Sequence, residues 1–150
     1  MLTNEECLKE IKRLEDLVEF YRRDSLTSIY LRHDLNKRVA ELLGMREFTI
    51  VMVDIDNLKQ CNTDKGYAAG DVLIANVANA LCSIKGDNDI FRVGGDEFVM
   101  LFTEPFKKVY YTIPNISCSL LVVEQNSKRT LPDILSELSF DLGNVKSKKS

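Results

Sequence analysis

Residues 48–56, FTIVMVDID, form an unbroken apolar run, rich in β-branched side chains, that stops at two aspartates, Asp54 and Asp56. An uninterrupted run of this kind predicts a central strand buried on both faces. A second stretch, FRVGGDEFVMLF (residues 91–102), sets two glycines and two acids between two further apolar runs, the pattern of a β-hairpin. NISCSLLVV (115–123) reads as one more strand. Between FTIVMVDID and the hairpin, residues 71–84 carry Leu73, Val77 and Leu81 at helical steps, while NLKQCNTDKGYAAG (57–70) is polar and glycine-punctuated, a loop or a short turn of helix.

The ends are helical. Thr3 and Glu6 match a capping box that opens a helix running to about Arg23. On it, Cys7, Ile11, Leu14, Val18 and Tyr21 recur at spacings of four and three, which fits either a coiled-coil seam or an amphipathic face packed on its own domain. A second helix follows DSLTSIY, with Leu31, Leu35, Val39 and Leu42 on one face and Gly44 at its end. LPDILSELSFDLG reads as a closing helix, with Pro132 in its first turn and Gly143 as its stop. Helix, helix, strand, helix, strand–strand, strand, helix makes an α+β fold, a mainly antiparallel sheet flanked by helices, for which ferredoxin-like βαββαβ is the nearest standard motif. Residues 1–23 are then an N-terminal helix and possible stalk, and residues 24–150 one domain.

The chain of 150 residues suffices for one core. Its 45% hydrophobic and 29% charged content is that of an ordinary globular domain, and a net charge of −3 argues against nucleic acid or an anionic membrane as the partner. MLTNEECLKE has neither a signal-peptide core nor a span-length apolar run, and the four scattered cysteines read as reduced thiols, so a cytoplasmic location is expected.

The acids need a reason. A carboxylate at the end of a buried strand loses hydration and requires hydrogen bonds, a base, a proton or a metal. Asp54 and Asp56, two apart, point to the same side of an extended strand. A hairpin beside that strand brings Asp96 or Glu97 to Asp54, and converging oxygens make a hard-cation site with positions left for phosphate. Adjacent Asp96 and Glu97 face opposite ways in a regular strand, so only one should reach the ion. Gly94 and Gly95 would supply positive φ for the turn and leave room for a phosphate. Solvated acids on a surface hairpin are the plain alternative. Asn62 and Asp71 can hydrogen-bond a guanine edge, or, equally, stabilise a turn and cap a helix. Lys59 can meet a phosphate as a point charge.

These blocks together resemble the GGDEF domains, most of which are diguanylate cyclases. DSLTSIYLR is similar to the family's D-x-L-T-G-L-x-N-R, with Ser28 for glycine and Leu31 for asparagine. DIDNLKQCNTDKGYAAGD is similar to D-x-D-x-F-K-x-x-N-D-x-x-G-H-x-x-G-D, with Leu58, Thr63 and Tyr67 substituted, and R-x-G-G-D-E-F stands intact from Arg92 to Phe98. The resemblance implies a palm-type fold and condensation of two GTP into cyclic di-GMP at the interface of a homodimer. It implies Mg²⁺ (or Mn²⁺) on Asp54, the Ile55 carbonyl and Asp96, with Asp96 and Glu97 activating the ribose 3′-hydroxyl. Leu58, Lys59, Asn62, Asp71, Gly94 and Gly95 would bind substrate, and Lys148 would remain from a lysine–arginine pair that aligns with Asn144 and Lys148. A product-inhibition motif, R-x-x-D, is replaced at Lys85 and Asn88, so the usual feedback site is expected to be absent. The short TEPFKKVYYTIP (103–114) suggests a missing covering helix. The alternative reading is a catalytically weak or silent GTP-binding regulatory module of the same family.

Overall fold

The computed structural model describes residues 1–85, 89–104 and 113–149. A helix α1 (Asn4–Arg22) leads to a short strand β1 (Tyr30–Leu31) and helix α2 (Arg32–Leu42). Strand β2 (Phe48–Ile55) is followed by α3 (Leu58–Lys65) and α4 (Tyr67–Lys85). The hairpin β3 (Ile90–Arg92) and β4 (Glu97–Phe102), the strand β5 (Ile116–Val123) and α5 (Leu131–Ser147) complete the fold.

The five strands form one sheet in the order β1-β3-β4-β2-β5. β2 is antiparallel to both β4 and β5, and only the added edge strand β1 runs parallel to its neighbour β3. The β3-β4-β2-β5 core has the strand order of a ferredoxin-like sheet. All eight residues of β2 are buried, as an uninterrupted apolar run requires of a strand covered on both faces. On one face Ile50 and Met52 pack with Leu35, Val39 and Leu42 of α2 and with Ile134, Leu138 and Leu142 of α5. On the other, Val51, Val53 and Ile55 meet Ile74, Val77, Ala78 and Leu81 of α4. Among the described residues α4 is the one helix long and apolar enough to cross a membrane, and these same side chains bury its apolar face in the core.

Several expected boundaries move. Of the loop or short turn of helix expected after β2, the helical alternative holds: α3 has eight residues, opened by Asn57 in the left-handed region (φ 60°) and closed by Gly66 (φ 90°). α4 therefore begins at Tyr67, and Asp71 lies inside it and cannot be its cap. Leu31 belongs to β1, drawn out of the helical pattern by pairing with Arg92. Gly143 does not stop α5, which continues to Ser147. The capping box forms as read, Thr3 and Glu6 exchanging backbone-to-side-chain bonds of 2.6 and 3.1 Å. α1 buries no residue: Ile11, Leu14, Val18 and Tyr21 stay exposed, so this face is not packed on its own domain. The crossover at residues 105–112 and Asn88 of the replaced inhibition motif lie outside the described residues; Lys85 sets its ammonium 5.1 Å from the centre of the Phe102 ring.

Candidate functional site

Alternation along β2 puts Asp54 on the same face as Ile50 and Met52, the face covered by α5. The residue is only 9% exposed. Oδ2 accepts a hydrogen bond from Nζ of Lys146 at 2.6 Å, whereas Oδ1 is buried and has no hydrogen-bond partner among the described residues. Burial raises the carboxyl's pKa most, Lys146 opposes the rise, and the neighbouring Asp96 adds to it, leaving Asp54 pushed up to about 6. Asp56 also turns toward the end of α5, but both its oxygens are engaged. Oδ1 accepts from Oγ of Ser117 at 2.6 Å and Oδ2 from Nζ of Lys149 at 3.0 Å, the same ammonium that reaches the Ile116 carbonyl at 2.7 Å.

The hairpin delivers the second acid. In register Asp54 lies opposite Glu97, and the Ile55 amide donates to the Asp96 carbonyl at 2.9 Å. Asp96 belongs to the bend before β4, which frees its side chain from strand alternation; it is the acid that acts on Asp54. Glu97 turns back over Gly94, where an added Cβ would meet its Oε2 at 3.3 Å. The expectation of positive φ at the glycines fails: among the described glycines only Gly44 and Gly66 are left-handed. The bend is instead held by Arg92, whose guanidinium donates to the Gly94 and Gly95 carbonyls at 3.3 and 2.8 Å and to Asp24 at 2.9 Å. Asp24 also accepts from the Thr27 amide and hydroxyl at 2.8 and 2.7 Å. Among the described residues nothing lies within 4 Å of a Cβ added at Gly95, which lines the cleft.

That cleft is a cavity of about 400 Å³ lined by Leu58, Lys59, Asn62, Thr63, Tyr67, Gly95 and Asp96. Asn62 sits over Gly70 so closely that a Cβ there would lie 1.7 Å from its Oδ1, so only glycine admits this amide position. Asp71 follows Gly70 on α4 but is exposed and is not among the residues lining the cavity. Lys148 contacts neither strand-end acid; the cations there come from Lys146 and Lys149, one helical turn apart. A larger cavity of about 510 Å³ lies by α2, away from these acids, and its charges pair with one another, Arg22 with Asp34 at 2.6 Å and Arg38 with Asp89 at 2.7 Å.

The donor set suits a hard divalent cation. No group of three or more His, Cys, Asp and Glu converges among the described residues, so an ion would rely on two carboxylates, a backbone carbonyl and oxygens from a ligand. Mg²⁺ is bound in that way at phosphate sites. The unpartnered buried Oδ1 of Asp54, with a second carboxylate beside it, is a pair short of one positive charge. Sequence reading missed four contributors: Arg92 and Asp24, which set the hairpin tip, and Lys146 and Lys149. The last two have no local signal, since their partners lie 92 and 93 residues away.

A family model described as diguanylate cyclase, GGDEF domain, matches residues 21–138. Over 110 residues the chain is 30% identical to the probable diguanylate cyclase DgcE of Escherichia coli (strain K12), covering 69% of this chain and 10% of that protein. It is 28% identical over 105 residues to the diguanylate cyclase DosC of the same strain, covering 63% and 23%. The matched region thus spans a quarter or less of these relatives. The coiled coil and GGDEF domain of DgcB from Caulobacter crescentus, solved with c-di-GMP, superposes with a TM-score of 0.80 at 20% identity, covering 96% of this chain and 90% of that one. The diguanylate cyclase SiaD of Pseudomonas aeruginosa, solved with its activator SiaC, gives 0.70 at 20% identity over 96% and 66%. At these identities the likeness establishes the fold.

Proposed function

The chain belongs to the GGDEF-domain family of diguanylate cyclases, and from that premise we propose that it condenses two GTP into cyclic di-GMP. The observation that carries the reading is the carboxylate pair at the strand end, Asp54, whose buried Oδ1 has no hydrogen-bond partner among the described residues, and Asp96 beside it. Asp54, the Ile55 carbonyl and Asp96 would hold Mg²⁺ or Mn²⁺. When bound, the ion supplies charge neutralisation on the triphosphate and on the developing leaving group.

The chain's own residues do the rest. Asn62, fixed by Gly70, reads the base edge, with Asp71 one position on as its partner in guanine selection. Leu58 lines the cleft beside Asn62; Lys59 faces the phosphates. Gly94 and Gly95 keep side chains off their path. Lys146 and Lys149, at and just past the end of α5, supply cationic support at the strand-end acids, and Lys148, which touches neither acid, is left to meet a phosphate. Asp96, with Glu97 beside it, accepts the proton of the ribose 3′-hydroxyl as that oxygen bonds to the α-phosphorus of the facing nucleotide. The bond from that phosphorus to the β-phosphate breaks, and pyrophosphate leaves; two such steps close the ring. One domain holds one nucleotide, so the reaction needs two domains face to face. The exposed seam of α1 supports a homodimer as the working form.

One observation favours the silent-module reading. Lys146 and Lys149 already neutralise Asp54 and Asp56, so cation entry must displace an internal ion pair. Incubation with GTP and Mg²⁺, followed by chromatographic assay for cyclic di-GMP and pyrophosphate, separates the two. Turnover abolished by Asp96→Ala supports the cyclase. GTP binding without product supports the silent module, and neither product nor binding overturns both.

A further inference from the structure

Resting on the reading of the cleft as a GTP site, we infer that Tyr67 is the stacking surface for the base. An amide such as Asn62 bonds a base in the plane of its ring and offers nothing to its flat face. That face needs an apolar or aromatic wall, and the large apolar or aromatic residues among those lining the cleft are Leu58 and Tyr67. Tyr67 is 79% exposed, a large ring that lines a cavity and is not packed in the core.

Its position is not incidental. Gly66, left-handed at φ 90°, ends α3, and Tyr67 is the first residue of α4. The Gly66 amide donates to the Asn62 carbonyl at 3.0 Å, and the Gly70 amide donates to the Gly66 carbonyl at 3.2 Å. Gly70 in turn sits against the Asn62 amide. Asn62, Gly66, Tyr67 and Gly70 are therefore one tight junction, which fixes the ring's root relative to the amide that reads the base edge. Gly95 and Asp96 of the hairpin tip line the same cavity, and on the proposed reading they are where the phosphates and the metal sit. A nucleotide whose phosphates lie at the hairpin tip brings its base to Asn62 and Tyr67.

Stacking of a base on an aromatic side chain is worth about 1–3 kcal/mol by alanine substitution and is tolerant of base identity. Hydrogen bonding to the base edge is selective. The two contributions separate by experiment, using a non-hydrolysable GTP analogue, its ATP counterpart and inorganic triphosphate, each with Mg²⁺. Tyr67→Ala should weaken both nucleotide analogues by a similar factor, roughly 5- to 150-fold, leave triphosphate binding unchanged, and keep the guanine-over-adenine ratio. Tyr67→Phe should bind within about twofold of the natural protein. Asn62→Ala should instead narrow the ratio. The chain has five tyrosines and no tryptophan, so tyrosine fluorescence reports the contact directly. Quenching by the GTP analogue should be smaller in Tyr67→Phe at equal occupancy. Tyr67→Ala binding as tightly as the natural protein, with Asn62→Ala weakened, overturns the stacking role and leaves the GTP site standing. A natural protein that binds neither nucleotide analogue overturns both.

Discussion

Replacing Asp54 by asparagine should stabilise the protein at neutral pH, although it removes an ion pair. The carboxyl's pKa lies at about 6 in the folded protein against 3.8 ordinarily, with the opposing pull of Lys146 already included. At about 1.36 kcal/mol per pH unit, that difference makes ionised Asp54 cost the fold about 3 kcal/mol. The folded protein holds this proton more tightly than the unfolded chain, so stability falls as pH rises from about 3.8 to about 6 and the full cost is present above that window. The replacement amide is not ionisable, and Lys146, at the chain's surface edge, can turn to water. Asp54→Asn should therefore exceed the natural protein by about 3 kcal/mol at pH of about 7.5 and by only about 1 kcal/mol at pH of about 4.5. Urea denaturation followed by circular dichroism at both pH values, in chelator, measures the two differences. In a domain of this size the larger gain corresponds to a rise in Tm on the order of 6–12 °C. An asparagine variant less stable than the natural protein at the higher pH, or equally favoured at both, would refute the claim that burial and Asp96 strain this carboxylate.

Ser28 has a left-handed backbone (φ 60°) where the resembling family motif has glycine, so Ser28→Gly should gain about 0.5–1 kcal/mol in the same urea assay; no gain would mean that the turn carries no strain. Gly70→Ala drives a methyl into the Asn62 amide and should cut affinity for a GTP analogue by at least about tenfold while the circular dichroism spectrum is kept. Unchanged affinity would remove Asn62 from base recognition. Arg92→Ala loses the bonds to Asp24 and to the two glycine carbonyls and should cost about 2–3 kcal/mol. Because the bonds from Thr27 and Arg92 hold the Asp24 carboxyl below its usual range against the effect of burial, that contribution is present at neutral pH and fades as pH falls through the folded pKa. The penalty of Arg92→Ala should shrink in acid, and a pH-independent penalty would contradict it.

How far the sequence carried depends on whether the physics was local. β2 was legible because a strand buried on both faces must be apolar along almost its whole length, and its eight residues carry one threonine and one aspartate, next to last. The hairpin was legible from its two apolar runs around Gly94 and Gly95, yet the means of turning was not. Sequence suggests positive φ, whereas the structure uses the Arg92 side chain to gather the carbonyls, and Asp24 to hold Arg92, a link across 68 residues. α3 was legible only as a loop or a short turn of helix because its composition is polar and it buries no residue fully, leaving no apolar period to read. β1 escaped because two residues form it only when β3 is alongside. The strand-end acids could be named in advance, but not their internal cations. Lys146 and Lys149 look like an unremarkable basic tail, and only the length of α5 past Gly143 sets them on Asp54 and Asp56.

The most direct measurement is a crystal structure with Mn²⁺ and a non-hydrolysable GTP analogue, read by anomalous scattering at the manganese edge. A peak bonded at about 2.0–2.3 Å to oxygens of both Asp54 and Asp96, with analogue phosphate completing the shell and Lys146 drawn away from Asp54, is the predicted result. Manganese bound elsewhere, or analogue bound with the Lys146–Asp54 pair intact and no metal between the two acids, would contradict it.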